Sequence, residues 1–335
     1  MPRRPIAPRT GSVAATQHPP QPSANVFRVP LSPCMPMDSI VSVPASRYEE
    51  AIAQVMPSYR RAMAAAAIAT LHREGRLPDG CMHAVQHASG HYTAALLAIP
   101  AAGRTASFVL TPPGLAYDVP QAAALLTVGV AKTATWPVDL LQALLDPTDE
   151  HTHAAYMQAG FQHLAELHTM VAPIPRRSTP TPLPNGITLR HTHDANLIAV
   201  LDATYAETMD CPSLRGLRQT PDIVEGHRSC GRVHDDLWIV IARDQRDIGC
   251  ALTTCTDEHS ADLAYFGLIP EVRGHGLGRI VMEHVHARAA AHDVRTMRLA
   301  VDADNAPACR LYRSLGFVLR SKQSAVIRSA ADVQV

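Results

Sequence analysis

Hydrophobic and polar residues recur along the chain in spacings that predict a repeated series of helices and strands. From Ser39 onward the pattern predicts a helical segment interrupted near Pro57, two adjacent strands, a helix, another strand and a short helix that Gly160 ends. Beyond residue 186 a similar series returns, with further strands and helices in alternation. This alternation predicts an α/β fold.

A proline-rich segment divides this series into two parts. Residues 171–186 carry five prolines in sixteen positions, which predicts a partly stiff linker. The flanking ranges, 38–170 and 187–328, are the predicted domains, in keeping with a chain of 335 residues. Residues 1–37 are rich in proline and serine and lack acidic residues, which predicts a disordered tail.

The two predicted domains resemble each other at a fixed offset. A shift of 156 positions brings residues of the first part onto identical residues of the second, namely Tyr156 on Tyr312, Gly160 on Gly316 and Phe161 on Phe317. We interpret this as an internal duplication of one α/β domain. The same shift places Pro120 on Gly276 and Ala122 on Gly278, so the second copy alone has a glycine turn there.

The composition limits the classes of partner. Lys+Arg and Asp+Glu both number 30, so no net field attracts nucleic acid or an anionic membrane. The seven cysteines form no CxxC pair, which is typical of a reduced compartment, and we predict a cytoplasmic protein. No apolar run approaches the ~20 residues that a membrane helix needs.

The segment RGHGLGR, residues 273–279, has three glycines between a predicted strand and a predicted helix. Unpaired N–H groups at such a helix N-terminus favour an anion, and glycine lets a phosphate approach the backbone. A tight turn without a ligand is the alternative interpretation. The spacing matches neither the P-loop, which needs Lys-Ser/Thr after its last glycine, nor the dinucleotide fingerprint G-x-G-x-x-G.

Residues 273–278 resemble the acyl-coenzyme A loop, R/Q-x-x-G-x-G/A, of the GNAT superfamily of N-acetyltransferases. The later arrangement N-x-x-A-x-x-L-Y-x-x-x-G-F, from Asn305 to Phe317, resembles the same family, and the likeness covers about residues 187–325. It implies a mixed, mostly antiparallel, splayed central sheet flanked by helices. With its degenerate first copy, the chain resembles tandem GNAT proteins of the mycothiol-synthase type.

The resemblance implies where acetyl-CoA would bind, as a co-substrate and without a metal. Backbone N–H groups of the glycine loop would hold the pyrophosphate, and the N–H of Leu268 or its neighbour would polarise the thioester carbonyl. Asn305 would contact the pantetheine arm. The implied contact residues are Leu268, Ile269, Arg273, Gly274, His275, Gly276, Leu277, Gly278, Arg279 and Asn305.

The resemblance also implies catalytic roles. Tyr312 would protonate the departing thiolate, and an aromatic side chain that packs on Phe317 is the alternative interpretation. Asp262 is the candidate base, acting through water, with a solvated carboxylate at a strand edge as the alternative. Tyr265 is a weaker candidate, because alternation along a regular strand points it away from Asp262 unless a bulge intervenes.

The acceptor side is predicted to be the polar segment 205–227, interpreted as an irregular loop with Asp210, Arg215 and His227. An exposed connector is the alternative. Cys211 could carry an acyl group as a nucleophile, although the resembled family generally transfers directly. The 18 histidines include HTH and HTHD runs, but alternate helix positions do not face together, so we predict no metal site.

These observations favour an acetyl-CoA-dependent N-acetyltransferase that acts on a small-molecule amine by direct attack. A non-catalytic acyl-CoA-binding or sensing module and a protein N-terminal acetyltransferase are the alternatives. Retention of Tyr312 together with the glycine loop in one copy favours catalysis. A homodimer is a possible assembly, and no nucleic-acid or membrane partner is expected.

Overall fold

The computed structural model describes residues 38–332 except 115–116, 177–178 and 193, so the predicted tail at 1–37 lies outside the described residues. Twelve strands occur in this described part: β1 (Ser39–Ser42), β2 (Met82–Gln86), β3 (Tyr92–Ala101), β4 (Thr105–Leu110), β5 (Leu140–Leu145), β6 (Gln162–Pro173), β7 (Ile187–His191), β8 (Arg232–Arg243), β9 (Arg246–Cys255), β10 (Ser260–Leu268), β11 (Thr296–Asp302) and β12 (Val318–Ser329). The described residues also form eight α-helices: α1 (Tyr48–Val55), α2 (Ser58–Arg73), α3 (Val119–Thr133), α4 (Glu150–Gln158), α5 (Asp194–Thr204), α6 (Thr220–Ser229), α7 (Leu277–Ala291) and α8 (Ala306–Ser314).

The strands form one sheet in the order β1-β2-β3-β4-β5-β12-β6-β11-β10-β9-β8-β7. Neighbouring strands are antiparallel except at β4 beside β5 and at β10 beside β11, which are parallel. These two parallel pairs occupy matching places in the two halves of the sequence. The predicted mixed, mostly antiparallel sheet with flanking helices is therefore confirmed.

The two halves exchange their last strands. β6, from the first half, lies between β12 and β11 and pairs with β11 over Thr296–Asp302. β12, from the second half, lies between β5 and β6 and pairs with β5 over Ser324–Ser329. Each half therefore needs a strand of the other half to complete its part of the sheet.

The exchange also joins the apolar cores. Val326 of β12 is fully buried in the cluster formed by the first half. Met170 and Ala172 of β6 are buried with α7 and α8 of the second half. On the opposite face of β8 and β9, α5 and α6 pack in a separate cluster around Trp238. Since a buried side chain of this size contributes about 1.5–3 kcal/mol, the exchanged strands hold the halves together by packing as well as by hydrogen bonds.

Element bounds repeat at the predicted offset. Adding 156 to the bounds of α4 and β6 gives those of α8 and β12. The same offset carries β4, α3 and β5 to within two residues of β10, α7 and β11. The duplication is thus present in the backbone, whereas the domain boundaries given above stay predictions.

Three local features differ from the sequence-based interpretation. The segment 171–186 begins inside β6, and its described residues are irregular only after Pro173. The interpretation of 205–227 as wholly irregular is wrong, because α6 begins at Thr220 with Pro221 in its first turn. The hydrophobic pattern predicts neither β2 nor β6, since polar residues interrupt the alternation along β6.

Candidate active site

β10 and β11 run side by side only at their beginnings. Ser260–Asp262 pair with Thr296–Arg298, and the described pairing of the two strands ends there. The strands then diverge, so their facing edges leave backbone groups without a partner strand. β4 and β5 diverge in the same way after Ser107 and Gln142. An opening between two parallel strands is therefore present in each half.

A β-bulge lies in β10 at the start of this opening. The register against β9 shifts between Leu263 and Tyr265, which makes Ala264 the extra residue. Ala261 and Leu263 are buried on the α7 side, whereas Tyr265 packs with the cluster on the α5–α6 side. The bulge therefore brings Tyr265 to the same face as Asp262, which regular alternation would not allow.

The glycine loop, residues 273–279, leads from β10 into α7. Gly274 and Gly276 have φ of 79° and 80°, and a Cβ on either residue would meet no atom within 4 Å. Gly276 is the N-cap of α7 and offers no side-chain cap. Within the described chain, no acceptor reaches the N–H groups of residues 274–278. These free donors at the positive end of a helix dipole are suited to an anion.

The two arginines of the loop have different partners. The Arg273 guanidinium donates hydrogen bonds of 2.8–2.9 Å to four backbone carbonyls, those of Leu268, Thr204, Ala206 and Glu207. Arg279 is exposed and donates to Glu283 at 3.2 Å and to the Ser314 carbonyl at 3.3 Å. Arg273 thus holds the C-terminal end of α5 against the end of β10, and its side-chain donors are used within the protein.

The remaining loop residues divide between solvent and core. His275 is exposed, whereas Leu277 is buried in the cluster on the α7 side. A Cβ on Gly278 would lie 3.4 Å from Leu311 and 3.5 Å from Phe266, so α7 begins in close contact with α8 and β10.

The end of β10 presents backbone groups to the opening. The N–H of Ile269 donates to the carbonyl of Ile248 at 2.9 Å, on the β9 side. Successive residues of a strand direct their backbone groups to opposite sides, so the N–H of Leu268 lies on the side away from β9. The carbonyl of Leu268, on that same side, accepts from Arg273.

Tyr312 lies on α8 with its ring in the core. The side chain is 7% exposed and packs edge-on against Phe317, with 5.6 Å between ring centroids. Burial, and then the Asp210 carboxylate, raises the pKa of Tyr312, so the phenol is protonated at pH 7. The equivalent Tyr156 donates to the Phe108 carbonyl at 3.2 Å, whereas among the described residues only burial and nearby charges, and no hydrogen bond, act on the Tyr312 hydroxyl.

Two carboxylates tie the segment after α5 to the end of β11. The Asp302 N–H donates to Oδ1 of Asp210, and the Cys211 N–H donates to Oδ2 of Asp302, both at 3.0 Å. Asn305 caps α8 by accepting from the Ala308 N–H at 3.2 Å, and its side chain also hydrogen-bonds to Asp210. Asn305, predicted to contact pantetheine, therefore already has protein partners for its polar atoms.

Asp262 lies where β10 and β11 still pair, just before the opening. Its carboxylate oxygens accept from Arg298 of β11, at 2.9 Å from Nε and 2.6 Å from Nη2. The Asp262 side chain is 23% exposed and that of Arg298 is 54% exposed. The predicted base is thus engaged in a partly exposed ion pair, of a kind that contributes about 0.2–1 kcal/mol to stability.

A cavity of about 640 Å³ lies on the α5–α6 side of β10, beside the bulge. Ala264 and Tyr265 line it from the strand, and the rest of its wall comes from α5, α6 and the segment between them. Arg218 and His227 belong to this wall, whereas no residue of the glycine loop does. The cavity and the loop are therefore separate places on the two sides of the opening.

Hydrogen bonds and burial define the protonation of the aromatic groups in the cavity. The Thr204 hydroxyl donates to the Leu201 carbonyl at 2.8 Å, so the Tyr265 hydroxyl donates to Thr204, also at 2.8 Å. Loss of solvent, and then the Arg218 charge, lowers the pKa of His227 to about 4. His227 is therefore uncharged at pH 7.

Cys211, considered above as a nucleophile, is held as a neutral thiol. Loss of solvent raises its pKa to about 12, with further contributions from the carboxylates of Asp210 and Asp302. Since only the thiolate attacks a thioester efficiently, this environment opposes an acyl-cysteine intermediate.

The matching loop of the first half is closed by its own side chains. The Asp118 carboxylate caps α3 by accepting from the Gln121 N–H at 2.9 Å, and Gln121 Oε1 accepts from the Asp118 N–H at 3.0 Å. Pro120 in the first turn has no N–H to offer. A carboxylate of the chain thus takes the place that an anionic ligand would need.

The described residues contain no group of three or more His, Cys, Asp or Glu side chains arranged to hold a metal ion. His193, part of the HTHD run, lies outside the described residues. In the ranges that the structure describes, none of the helices combines the length and the apolar character needed to cross a membrane.

Comparison with known proteins agrees with this geometry. Residues 201–317 match the model of the Acetyltransferase (GNAT) family. The fold is similar to a GCN5-related N-acetyltransferase from Sphaerobacter thermophilus, with 16% identity, a TM-score of 0.58 and coverage of 88% of this chain and 96% of that chain. It is also similar to a tandem GNAT protein from the clavulanic acid biosynthesis pathway, with 17% identity, a TM-score of 0.50 and coverage of 89% and 100%. No curated protein sequence matches significantly.

These findings concern the fold of the chain and the family likeness of one segment. The predicted fold of two tandem GNAT-like units is confirmed by the architecture and by its likeness to a tandem protein. The matched segment contains the opening, the glycine loop and Tyr312. The likeness to the GNAT acetyltransferase family thus concerns residues 201–317, whereas the structural likenesses, at 16% and 17% identity, concern the fold alone.

Replacing Arg273 by methionine is expected to destabilise the protein by about 2–4 kcal/mol, because four backbone carbonyls lose a charged donor. Urea unfolding followed by circular dichroism measures the change. Arg279→Met is the matched control at the other end of the loop, and it is expected to cost less than about 1 kcal/mol because Arg279 is exposed. Equal losses in the two variants would contradict the role assigned to Arg273.

Proposed function

We propose that the chain is an acetyl-CoA-dependent N-acetyltransferase whose second half transfers the acetyl group to a primary amine by direct attack. The observation that carries this proposal is the contrast between the two loops at equivalent helix N-termini. The loop before α7 keeps the N–H groups of residues 274–278 free, whereas Asp118 fills the loop before α3. A site kept open in one copy and closed in the other favours a ligand for the open one.

Acetyl-CoA would bind across the opening of the second half. The free N–H groups of the loop would hold the pyrophosphate, with positive potential from the α7 dipole. The pantetheine arm would enter between the diverging edges of β10 and β11 and use their unpaired backbone groups. Ile269 supports this placement by anchoring the end of β10 to β9, which leaves the Leu268 N–H on the side away from β9, where the thioester would lie.

The reaction would exchange one acyl bond for another. The amine nitrogen attacks the thioester carbonyl carbon, the C–S bond breaks, and negative charge develops first on the carbonyl oxygen and then on sulfur. The N–H of Leu268 would stabilise the oxygen. The Tyr312 hydroxyl, on which no hydrogen bond of the described residues acts, would give its proton to the thiolate. Asp262 would take the proton of the amine through water.

The acceptor would occupy the cavity beside the bulge, whose volume of about 640 Å³ suits a small-molecule amine. A protein N-terminus and a non-catalytic acyl-CoA-binding module stay as alternatives. Specificity of the mycothiol-synthase type, a homodimer and a cytoplasmic location stay predictions.

Binding and chemistry can be tested separately. Gly276→Asp is expected to fold but to lower acetyl-CoA affinity at least about 100-fold, because the new carboxylate would cap α7 and repel the pyrophosphate. Gly276→Asn, equal in size, tolerates the left-handed conformation but lacks the charge, so its loss should be clearly smaller. Calorimetry measures affinity, and thiol release from acetyl-CoA with a panel of amines and peptide N-termini measures turnover. Binding without any amine-dependent thiol release would favour the non-catalytic module; equal affinities of the two variants would remove the loop from the site.

Tyr312→Phe is expected to lower kcat about 100-fold while acetyl-CoA affinity stays nearly unchanged, because the hydroxyl acts only as the thiolate departs. Tyr156→Phe is the matched control in the first half. It should keep full turnover and lose about 1 kcal/mol of stability with its hydrogen bond to Phe108. Steady-state kinetics measures kcat, and calorimetry measures acetyl-CoA affinity. An unchanged kcat in Tyr312→Phe would contradict the role of Tyr312 as the proton donor to the thiolate.

Asp262→Asn is expected to lower kcat about 100-fold if the carboxylate accepts the amine proton. Arg298→Met breaks the same ion pair but leaves the carboxylate in place, so it should cost at most about 1 kcal/mol of stability and little turnover. Parallel kinetics and urea unfolding of the two variants separate a base from a structural ion pair. Equal losses of turnover would show that Asp262 acts only through Arg298.

A further inference from the structure

Arg218, in the segment between α5 and α6, is a cation in the wall of the cavity. Its Nε is buried without a hydrogen-bond partner, and Nη2 lies 3.4 Å from the Gly103 carbonyl, at the weak limit of a hydrogen bond. No acidic side chain of the described residues forms an ion pair with it. Loss of solvent lowers the pKa of Arg218, against smaller opposing effects of Tyr205, of the Asp222 carboxylate on α6 and of Cys230. A partly buried cation without an ion-pair partner lowers the stability of the folded protein unless an anion binds to it.

The acidic residues of the same cavity have other partners. Asp202 accepts a hydrogen bond from the Thr220 hydroxyl, and Asp210 is bound to Asp302 and Asn305. Neither carboxylate is therefore placed to neutralise Arg218. The Asp222 carboxylate acts on Arg218 through its charge but forms no ion pair with it among the described residues, so the guanidinium stays available to an anionic ligand of the cavity.

The acyl-CoA pyrophosphate does not account for this anion. The pyrophosphate is assigned to the glycine loop, and no residue of 273–279 lines the cavity. The cavity wall belongs to α5, α6 and the intervening segment, with Ala264 and Tyr265 from β10. An anion bound at Arg218, within a cavity separate from the loop, is therefore assigned to the acceptor.

The neutral groups near Arg218 favour the pairing of one carboxylate with one guanidinium. His227 is uncharged at pH 7, and Tyr205 is a buried phenol whose pKa is raised by loss of solvent. Neither competes with Arg218 for an anion by charge. The guanidinium offers a planar pair of N–H donors, which matches a carboxylate in a bidentate arrangement.

We propose that the acceptor is an amine that also carries a carboxylate, and that this carboxylate pairs with Arg218. The proposal rests on the acetyltransferase function given above and names its substrate class, that of amino acids and related amino carboxylates. It makes Arg218 a specificity-determining residue with no part in the bond-making steps.

A turn of the first half of the chain contacts the Arg218 guanidinium. Gly103, in the turn between β3 and β4, has φ of 75°, and a Cβ there would collide with the Asp222 carbonyl and with Nη2 of Arg218. The β3–β4 turn is thus packed against α6 and leaves the guanidinium little room to withdraw. Arg218 is consequently held in the cavity wall by a contact from the first half.

The test compares matched amines in the wild type and in Arg218→Met. Each pair consists of an amino carboxylate and its carboxamide, and thiol release gives kcat/KM for both. The carboxylate-to-carboxamide ratio in the wild type is divided by that in the variant, so the different basicities of the two amines cancel. We expect this quotient to be about 10 to 100, the effect of one charge-assisted hydrogen-bonded pair. Aminoalkyl phosphonates, included as a third arm, should be poorer acceptors than the matched carboxylates.

Three controls make the result decisive. Acetyl-CoA affinity of Arg218→Met should equal that of the wild type, which establishes that the variant is folded. Arg73→Met, which removes an exposed arginine from the end of α2, should leave the quotient at 1. Arg218→Lys keeps the charge without the planar fork and should recover part of the preference.

The outcomes separate this inference from the function on which it rests. Wild-type activity with carboxamides equal to that with carboxylates, or a quotient near 1, overturns the role of Arg218 while acetyl transfer stands. A preference for phosphonates overturns the carboxylate in favour of another anion. Absence of thiol release with every amine refutes the acetyltransferase; direct calorimetric binding of an amino carboxylate to the wild type but not to Arg218→Met would then still support the site.

Discussion

β11 is held in the sheet mainly by β6, a strand that comes from the other half of the chain. It pairs with β10 over Thr296–Arg298 only, but with β6 over the whole range Thr296–Asp302. Without β6, the diverging end of β11 would have hydrogen-bonding partners on neither edge. In this chain the opening that forms the candidate active site therefore depends on a strand that the first half supplies.

The first half depends on a strand of the second half in the same way. This exchange of strands explains what the first half, whose loop is closed, contributes to the structure of the second. β5 diverges from β4 and is held by β12 of the second half. The two copies thus share a backbone plan, but their side chains use it differently. In the first copy the Asp118 carboxylate caps the N-terminus of α3. The Tyr156 hydroxyl donates a hydrogen bond to the Phe108 carbonyl of β4, which lies where β4 diverges from β5. In the second copy Gly276 offers no side-chain cap to α7, and the Tyr312 ring packs on Phe317.

The parts of this arrangement that depend on local sequence could be predicted from it. Gly274 and Gly276 predict a left-handed turn. The capping residue Asn305 and the pattern that follows it up to Phe317 predict α8. Both features are encoded within a few residues. The 156-residue offset likewise predicts duplication, which the bounds of α4 and α8 reproduce. Apolar periodicity also gives most of the strands and helices that flank the site.

The remaining features depend on which distant segments meet, and periodicity carries no such information. The pattern of β6 does not tell that it pairs with β11 rather than within its own half. The partner of Asp262 is Arg298, on a strand 36 residues away. Arg273 looks like a phosphate ligand beside three glycines, but its donors go to carbonyls at the end of α5. Nothing around Arg218 in the sequence distinguishes it from an exposed arginine, since its lack of a partner arises from the folded cavity.

The segment between α5 and α6 couples the two sides of the proposed site because it is anchored to the donor side at two points. Glu207 and Cys211 have φ of 50° and 45°, conformations that cost of order 1–3 kcal/mol each in a non-glycine residue. Arg273 offsets this cost by binding the Glu207 carbonyl, and Asp302 does so by accepting from the Cys211 N–H. The contribution of Cys211 is thus its backbone, in agreement with the raised pKa of its thiol. Since Asp302 ends β11 and Arg273 begins the glycine loop, the proposed acceptor cavity is positioned by the same residues that shape the proposed acyl-CoA side. A change of acceptor would therefore have to come from side chains inside the cavity, such as Arg218, while the frame of the segment stays as it is.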